Sequence, residues 1–367
     1  MTGNSDTRVV VGMSGGVDSS TAAALLLEQG HQVIGITLKL WPQDCLSRAE
    51  DKCCGPQAVS DARSVCQRLG IPFYLVDEAN AFQQEVIAYF AAEYRAGRTP
   101  NPCVMCNEKL KFGTLLTQAR KLGGTHVATG HYARVERGPD SGRWLLKRGR
   151  DPRRDQSYFL FSLRQEQLAH ILFPLGELLK TETREHARGH RLKTADKEES
   201  MEICFVPDND YGGFLRKAGL VAPHAGEIVD LDGRVLGRHE GIEFFTIGQR
   251  RGLRIAAPAP LYVLDLDPAR NRVLVGPASE LQRRGFSVAR CNWISCEEPA
   301  GPVEALVKIR YNHPGTPGMI TPLPGGRARV ELKEPQRAIT PGQASVFYQG
   351  DTVLGGGWIE RFEHPQP

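Results

Sequence analysis

The chain has 367 residues, which is long enough for two or three domains. Hydrophobic residues make up 41% and charged residues 24%, a balance that excludes an intrinsically disordered chain. Lys and Arg number 46 against 42 Asp and Glu, so the formal net charge of +4 neither demands nor excludes a nucleic-acid partner. No apolar run approaches the roughly 20 residues that span a bilayer, and the first residues lack the pattern of a signal peptide. We therefore expect a cytoplasmic protein with no membrane partner.

The first half of the sequence alternates between strand and helix patterns. Short apolar runs predict strands at residues 8–13, 32–38, 73–77 and 125–129. Helical segments are predicted at residues 19–29, 57–69, 81–95 and 107–122. Gly30 is well placed to cap the first of these helices. Strands that alternate with helices of this length predict a parallel sheet covered on both faces, so the expected fold class is α/β.

The second half of the sequence has a different texture. Beyond about residue 207, Gly and Pro become frequent and short strands replace long helices. Residues 261–267 and 272–275 flank a turn and predict a hairpin. More strands are predicted at residues 303–311, 327–332, 344–348 and 352–359. Such a run of short strands favours a small barrel or sandwich. We divide the chain into residues 1–207, a small, mostly β central domain at 208–280, and a C-terminal domain at 281–367.

A glycine-rich loop, Ser14-Gly-Gly-Val-Asp-Ser19, joins the first predicted strand to the first predicted helix. Its glycines allow backbone N–H groups to approach an anion, and the helix N-terminus adds a positive end. No Gly-Lys-Ser/Thr closes the loop, so it is not a Walker A motif. A turn without a ligand is the alternative interpretation.

The loop resembles the pyrophosphate loop of the N-type ATP pyrophosphatases. This resemblance implies a Rossmann-like domain of the adenine nucleotide α-hydrolase type, which cleaves ATP between its α and β phosphates. Enzymes of this superfamily adenylate a carbonyl or carboxyl oxygen, so the loop indicates the nucleotide chemistry but leaves the acceptor open.

The chain contains nine cysteines, which in a reducing compartment indicate catalysis or metal binding rather than structural disulfides. Cys103 and Cys106 form a Cys-x-x-Cys pair just before the helix predicted from residue 107, and Cys204 lies near the end of the α/β region. A thiol beside a helix N-terminus and two lysines gains thiolate character. A structural zinc site completed by Cys53 and Cys54 is the alternative. Three other cysteines have apolar or amphipathic neighbours, and we interpret them as packing residues: Cys66, Cys291 and Cys296.

Several motifs in order along the chain are together similar to the bacterial tRNA-specific 2-thiouridylases. They are residues 12–19, 101–107, 130–132, 155–160, 202–205, 246–252, 308–311 and 341–343. The resemblance implies a C-terminal β-barrel that binds tRNA. It also implies ATP-dependent thiolation at C2 of the wobble uridine, position 34, in the tRNAs for Lys, Glu and Gln. A cysteine desulfurase or a sulfur-relay protein would supply the sulfur.

The resemblance also assigns roles to individual residues. Cys204 would carry the transferred sulfur as a persulfide, Cys106 would release the product through a transient Cys106–Cys204 disulfide, and Asp18 would serve Mg²⁺ and pyrophosphate. The implied ATP-binding residues are Gly12, Met13, Ser14, Gly15, Gly16, Val17, Asp18, Ser19, Leu38 and Gly130. Leu38 stands where the family usually has Met, a substitution that preserves apolar packing.

One position departs from the best-known form of the family. Cys103 stands where that form has Asp, beside Asn101 and Pro102, which are implied to contact the target base. The thiols of Cys103, Cys106 and Cys204 could therefore ligate a [4Fe–4S] cluster, which is the alternative to the persulfide route. The roles of Cys45, Cys53 and Cys54 stay open.

A basic run at residues 143–154 holds six basic side chains and one acid. Such a run is most often a solvated face, but beside an RNA-modifying site we expect phosphate contacts and salt-sensitive affinity. The tRNA-binding residues implied by the resemblance are His131, Arg154, Asp155, Gln156, Arg310, Tyr311 and Gln343.

Two other functions compete with tRNA thiolation. The nearest is another adenylating synthetase with a small-molecule acceptor, which would need neither Cys106 nor Cys204. The second is a non-catalytic tRNA-binding module whose thiols hold structural zinc. AMP release that depends on tRNA would favour thiolation over both.

Overall fold

The computed structural model describes residues 7–40, 55–198, 203–222 and 224–362. Two compact units divide the chain. The first unit contains residues 1–86, 103–209 and 351–353, and the second contains residues 87–102, 210–350 and 354–367. Neither unit is one continuous stretch of sequence, and the division into three domains stays a prediction.

The first unit is built on a five-stranded parallel sheet. Its strands, with those of an adjoining hairpin, are β1 Arg8–Gly12, β2 Gln32–Lys39, β3 Phe73–Asp77, β4 His126–Ala128, β5 Ala133–Arg137, β6 Trp144–Arg148 and β7 Ile171–Leu172. The sheet order is β3-β2-β1-β4-β7, and the pairs β1–β2, β1–β4, β2–β3 and β4–β7 are all parallel. The predicted Rossmann-like α/β class is therefore confirmed.

The helices of the described residues are divided between the two units, and those at residues 88–95 and 211–217 belong to the second. In chain order, the helices are α1 Val17–Glu28, α2 Pro56–Leu69, α3 Ala79–Phe82, α4 Ala88–Arg95, α5 Pro102–Cys106, α6 Leu115–Lys121, α7 Gln165–Leu168, α8 Lys180–Gly189 and α9 Tyr211–Lys217. Wider π-type turns, Gln83–Ile87 and Asn107–Thr114, join α3 to α4 and α5 to α6. Gly30 follows α1 with φ +84°, the left-handed conformation expected of a capping glycine.

The core of the first unit explains why the apolar runs become central strands. Val9, Val10 and Val11 of β1 are fully buried because helices cover both faces of the sheet. Ala23 and Ala24 of α1 pack in the same core, where small side chains let the helix lie close to the strands. This packing fixes β1 and α1 relative to each other, and with them the two ends of the loop that joins them.

One predicted boundary is wrong where it affects the thiols. The sequence was expected to be extended through residue 106 and helical from residue 107, but the helix begins at Pro102. Proline fits the first helical position because its fixed φ suits a helix and its missing N–H has no partner there anyway. Cys103 and Cys106 therefore lie within the first turns of a helix rather than ahead of it.

The second unit contains two β-sheets. The remaining strands are β8 Gly226–Val229, β9 Val235–His239, β10 Tyr262–Asp267, β11 Arg272–Gly276, β12 Gln282–Trp293, β13 Val303–Lys308, β14 Thr316–Leu323, β15 Arg327–Arg337, β16 Ala344–Gln349 and β17 Thr352–Ile359. Strands β10-β11-β8-β9 form a small sheet that contains the predicted hairpin. Strands β12-β15-β14-β13-β16-β17 follow in order, and an additional β12–β17 pairing closes them into a six-stranded barrel. The predicted C-terminal barrel is confirmed.

The hairpin β5–β6 of the first unit was not predicted from the sequence. Strand β6 carries part of the basic run. Lys147 of β6 pairs with Thr352, the first residue of β17, and Thr352 belongs to the first unit. The Lys147 ammonium lies 3.0 Å from Glu136 and 3.2 Å from Asp351, and Arg134 lies 2.6 Å from Asp351. The positive charges on these strands are thus partly neutralised by ion pairs within the first unit.

Candidate active site

The glycine-rich loop lies where the order of the parallel sheet reverses. β1 has β2 on one side and β4 on the other, so the loops after β1 and β4 leave the same edge of the sheet in opposite directions. Ligands of open α/β sheets bind in the crevice that forms at such a point. Leu38 is near the end of β2 and Gly130 follows β4, so both lie at this carboxyl edge.

Hydrogen bonds within the glycine-rich loop fix its conformation. The Ser14 backbone N–H donates to Ser19 Oγ at 3.1 Å, and Ser20 Oγ donates to the Gly16 carbonyl at 2.8 Å. Gly15 has φ +70°, and a Cβ there would lie 2.2 Å from the Ala58 carbonyl oxygen, so only glycine fits. Gly16 caps α1, which directs the helix N-terminus at the loop.

Gly130 approaches the start of α1 closely. A Cβ at Gly130 would lie 2.6 Å from Asp18 C and 2.6 Å from Ser19 N. Met13 is anchored from the other side, since Thr37 Oγ1 donates to its carbonyl at 2.8 Å. These contacts bring Gly130 against the loop, as the predicted ATP site requires, although the individual ATP contacts stay predictions.

Asp18 is the centre of a buried polar network that the sequence did not indicate. Its Oδ1 accepts a hydrogen bond from Lys180 Nζ at 2.6 Å and one from the Tyr132 hydroxyl at 2.9 Å. The Tyr132 hydroxyl also lies 2.9 Å from Thr183 Oγ1. Both partners of Asp18 are shielded from solvent, because Lys180 is buried and Tyr132 is 2% exposed. Both of these hydrogen bonds to Asp18 are made to Oδ1.

A second lysine braces the loop from outside. Lys197 Nζ donates to the Gly15 carbonyl at 3.2 Å and to Asp61 Oδ2 at 2.5 Å. Arg184 of α8 holds the same segment by donating to the Ala195 and Lys197 carbonyls. Neither Lys180 nor Lys197 belongs to a motif that we recognised, so the sequence carried no local signal for them.

The three thiols of interest, those of Cys103, Cys106 and Cys204, all belong to the first unit, and none of them is in a disulfide. Cys106 is buried, whereas Cys103 and Cys204 are partly exposed. Phe205 anchors the segment that follows Cys204, because its ring packs edge-to-face on Phe82 at 5.7 Å. Burial raises the pKa of Cys66 to about 12, which agrees with its interpretation as a packing residue.

A metal centre at these thiols is not assembled in the structure. In the part of the chain that is described, which includes Cys103, Cys106 and Cys204, no three His, Cys, Asp or Glu side chains are arranged to hold a metal ion. The residues present therefore do not fit a [4Fe–4S] cluster in this conformation. Cys45, Cys53 and Cys54, and with them the alternative zinc site, lie outside the described residues.

His131 is fixed beneath the surface. Its Nδ1 lies 2.7 Å from Thr129 Oγ1, and its ring packs near Phe112 and Phe173. Burial, assisted by the nearby charge of Lys111, holds its pKa well below the ordinary value, so the ring is neutral at pH 7. An RNA contact by His131 stays a prediction and would be a neutral one.

The basic run is less available to RNA than its sequence indicates. Lys147 is paired with two carboxylates, and Arg150 lies 3.3 Å from Glu182. Asp155 is buried, and its Oδ1 accepts from the Gly149 and Ser157 backbone N–H groups. Arg153 is exposed and is the clearest cation for phosphate contact in this run.

In the second unit, Gln343 holds the segment that precedes the Asn101-Pro102 motif. Its Nε2 donates to the Thr99 carbonyl at 3.1 Å and to the Pro100 carbonyl at 3.0 Å. The residues at the other predicted RNA position lie after β13, where Arg310 Nη1 donates to the Arg337 carbonyl and Lys308 lies 5.6 Å from the Tyr311 ring. RNA contacts by Gln343, Arg310 and Tyr311 stay predictions.

Comparison with known proteins places the chain in a family. A family model described as "tRNA methyl transferase HUP domain" matches residues 7–208. Models described as "tRNA methyl transferase PRC-barrel domain" and "Aminomethyltransferase beta-barrel domain" match residues 213–277 and 283–359. The tRNA-specific 2-thiouridylase MnmA of Geobacter metallireducens is 52% identical over 364 residues, covering 98% of both chains. The chain belongs to the tRNA-specific 2-thiouridylase family.

Other members of the 2-thiouridylase family match over similar lengths. The protein of Moorella thermoacetica is 51% identical over 96% of this chain and 99% of its own, and that of Chloroflexus aurantiacus is 50% identical over 97% and 99%. Among solved structures, a 4-thiouridine synthetase–RNA complex with bound ATP has a TM-score of 0.38 and 19% identity, covering 58% of this chain and 50% of that one. That score is too low to carry a functional conclusion. No helix of the described residues is long and apolar enough to cross a membrane.

Proposed function

We propose that this chain is an ATP-dependent tRNA 2-thiouridylase that acts on C2 of uridine 34. The observation that carries the proposal is the union, in one compact unit of a member of this family, of a glycine-rich loop at a helix N-terminus and three cysteines that form no disulfide. The loop supplies nucleotide chemistry and the thiols supply sulfur chemistry, and thiolation of a carbonyl carbon needs both.

The ATP half of the reaction activates a poor leaving group. The C2 oxygen of uridine attacks the α phosphorus of ATP, pyrophosphate leaves, and the oxygen becomes part of an AMP ester. This splits one difficult displacement into two easier ones. The backbone N–H groups of Gly15 and Gly16 and the N-terminus of α1 stabilise the phosphate charge, because they are fixed donors that need no reorganisation.

Mg²⁺ is commonly bound by one or two carboxylates together with substrate phosphates. Asp18 fits this role, because its carboxylate is partly exposed at the loop and both of its hydrogen bonds from Lys180 and Tyr132 are made to Oδ1. The ion would neutralise charge on the departing pyrophosphate.

The sulfur half uses thiols alone. The terminal sulfur of a Cys204 persulfide attacks C2 and displaces AMP, which leaves the base joined to Cys204 through a disulfide. The Cys106 thiolate then attacks Cys204 Sγ, so that the Cys106–Cys204 disulfide forms and 2-thiouridine departs. An external thiol reductant restores both cysteines, and a cysteine desulfurase or sulfur-relay protein restores the persulfide.

The substrates we propose are the tRNAs for Lys, Glu and Gln, whose target base must leave the anticodon stack to reach the thiols. Asn101, Pro102 and Cys103 would contact that base. The location we propose is the cytoplasm, because a cycle that depends on free thiols requires a reducing compartment.

The test is to replace each thiol with serine. We expect Cys106→Ser and Cys204→Ser each to lower 2-thiouridine formation to background, while ATP binding stays within about twofold of wild type. The measurement is 2-thiouridine in a tRNA transcript, by mass spectrometry, with ATP affinity by calorimetry. Cys66→Ser is the matched control, since a thiol with a pKa of about 12 does not act as a thiolate at neutral pH.

Near-normal thiolation by either active-site variant would contradict the assignment of roles. AMP release with a small-molecule acceptor but no dependence on tRNA would favour the other adenylating synthetases. Iron and acid-labile sulfide in anaerobically purified protein, both lost in Cys103→Ser, would favour a cluster over the thiol route.

A further inference from the structure

One loop in the first unit, exposed at Arg150, Pro152 and Arg153, is connected to Asp18 by two separate routes. The loop, residues 149–156, contains Arg154, Asp155 and Gln156, to which the proposed function gives RNA contacts. The first route passes through one buried residue, Tyr132, and the second passes through two, Asp151 and Lys180. Both end on the same atom, Asp18 Oδ1.

The first route runs through Tyr132. Gln156 holds the Tyr132 backbone at two points, because its backbone N–H donates to the Tyr132 carbonyl at 2.9 Å and its Oε1 accepts from the Tyr132 N–H at 3.0 Å. The Tyr132 hydroxyl then donates to Asp18 Oδ1 at 2.9 Å. Gln156 Nε2 has no partner within the described part of the chain, so its two hydrogens are available to RNA.

The second route runs through α8. Asp151 is buried, its Oδ1 accepts from the Arg153 backbone N–H at 3.0 Å, and its Oδ2 accepts from the Lys180 backbone N–H at 3.1 Å. Lys180 begins α8, and its Nζ donates to Asp18 Oδ1 at 2.6 Å. A single carboxylate therefore joins the turn at Arg153 to the residue that holds the ammonium against Asp18.

We propose that Tyr132, Asp151 and Lys180 are positioning residues that couple RNA binding at residues 149–156 to the geometry of Asp18, so that ATP and tRNA bind cooperatively. The proposal rests on the proposed function, which supplies RNA as the ligand of the loop. Its physical basis is that a loop fixed by RNA also fixes the two groups that orient one carboxylate oxygen. An enzyme built this way holds ATP weakly when no RNA is bound, and therefore does not consume ATP without its substrate base.

The test measures cooperativity without chemistry. The affinity for α,β-methylene ATP, which cannot be cleaved between the α and β phosphates, is measured by calorimetry with and without a saturating unmodified tRNA transcript for Lys. Couplings between sites in proteins are commonly about 5- to 150-fold, and the ratio must be the same when RNA affinity is measured with and without nucleotide. We expect a wild-type ratio of at least about fivefold.

Two conservative variants each interrupt one route. Tyr132→Phe removes only the hydroxyl that reaches Asp18. Asp151→Asn leaves one acceptor oxygen where the structure uses two. We expect the ratio to fall toward one in each variant, whereas a side chain with a purely structural role would change stability and leave the ratio unaltered. If one variant fails to fold, the other tests the proposal by itself.

The matched controls are Tyr74→Phe, which removes an exposed hydroxyl on β3, and Asp196→Asn, which alters an exposed carboxylate. Both controls should keep the wild-type ratio. A wild-type ratio of one, or unchanged ratios in both Tyr132→Phe and Asp151→Asn, would overturn the coupling. Formation of 2-thiouridine by the wild-type protein is assayed separately, so a failure of the coupling is distinguished from a failure of the proposed function.

Discussion

Gly130 is a residue at which the site has no room for a side chain. A side chain there would meet the backbone of Asp18 and Ser19 rather than the flexible end of another side chain, so the strain cannot be relieved by a rotamer change. The close approach of the two backbone segments therefore requires glycine, whose side chain is a single hydrogen atom.

We predict that Gly130→Ala weakens ATP binding. Overpacking of a tight site costs about 1–3 kcal/mol, which corresponds to roughly 5- to 150-fold in affinity. The measurement is the dissociation constant for ATP by calorimetry. Gly189→Ala is the matched control, because a Cβ at Gly189 meets nothing within 4 Å, and it should bind ATP as the wild type does. Equal affinity of the two variants would contradict the placement of Gly130 at the nucleotide site.

The residues of the glycine-rich loop could be recognised from the sequence, but the side chains that contact the loop from elsewhere in the chain could not. The glycines and serines of residues 14–19 carry their own signal, because their φ freedom and hydroxyls serve an anion directly. Lys180 and Tyr132, by contrast, reach Asp18 from 162 and 114 positions away, and no spacing along the chain reveals such partners. Tyr132 stood within a recognised motif, yet only the fold shows what its hydroxyl contacts.

At the scale of elements, the turn after β4 contains a buried histidine that links stability to pH. His131 is neutral in the folded protein because burial lowers its pKa. In the unfolded chain its pKa returns to about 6.5, so the unfolded state binds more protons as the solution is acidified. The contribution of His131 to stability is therefore complete above about pH 6.5 and decreases as pH falls below that value.

We predict that His131→Gln flattens the dependence of stability on pH. Each proton bound only by the unfolded state lowers the free energy of unfolding by up to about 1.4 kcal/mol per pH unit. The measurement is urea unfolding at several values between pH 7.5 and 5, where the variant should lose less stability than the wild type. His186→Gln, a partly exposed position in α8, serves as the control. Parallel pH profiles for His131→Gln and wild type would show that another group is responsible.

Element boundaries were predictable where local chemistry decides them. The limits of β3 and β17 agree with the sequence patterns, and α1 ends where Gly30 was expected to cap it. The start of α5 was misplaced because an Asn-Pro-Cys stretch is compatible with an extended segment or with proline at the first helical position. The hairpin β5–β6 was missed because its basic residues resembled a solvated face, whereas distant Asp351 pairs with two of its side chains.

On the scale of the whole molecule, the modest net charge of +4 means that RNA affinity must come from particular cations. The structure separates the cations of the basic run into two groups. Lys147 is engaged with Glu136 and Asp351, whereas Arg153 is exposed. Only cations of the second kind can exchange condensed counterions for phosphate contacts.

We predict that Arg153→Ala lowers the salt dependence of tRNA binding. Loss of one phosphate contact should reduce the slope of log K against log salt by about 0.7 to 0.9. The measurement is tRNA affinity by filter binding between roughly 50 and 200 mM salt. Lys147→Ala is the comparison: it should reduce stability and leave the slope within error of wild type. If Lys147→Ala reduces the slope of log K against log salt more than Arg153→Ala does, Lys147 rather than Arg153 contacts phosphate, and the prediction is wrong.

The inclusion of residues 351–353 in the first unit has a consequence for how the protein is made. A ribosome delivers the N-terminal residues first, yet the carboxylate that Arg134 and Lys147 share arrives more than 200 positions later, with Asp351. Until then, the two cations on the β5–β6 hairpin lack a common counterion, and β6 lacks its pairing with Thr352. The nucleotide-binding unit therefore completes its native contacts only when nearly the whole polypeptide has been translated, so nascent chains that stop short of residue 351 cannot yield a finished catalytic unit.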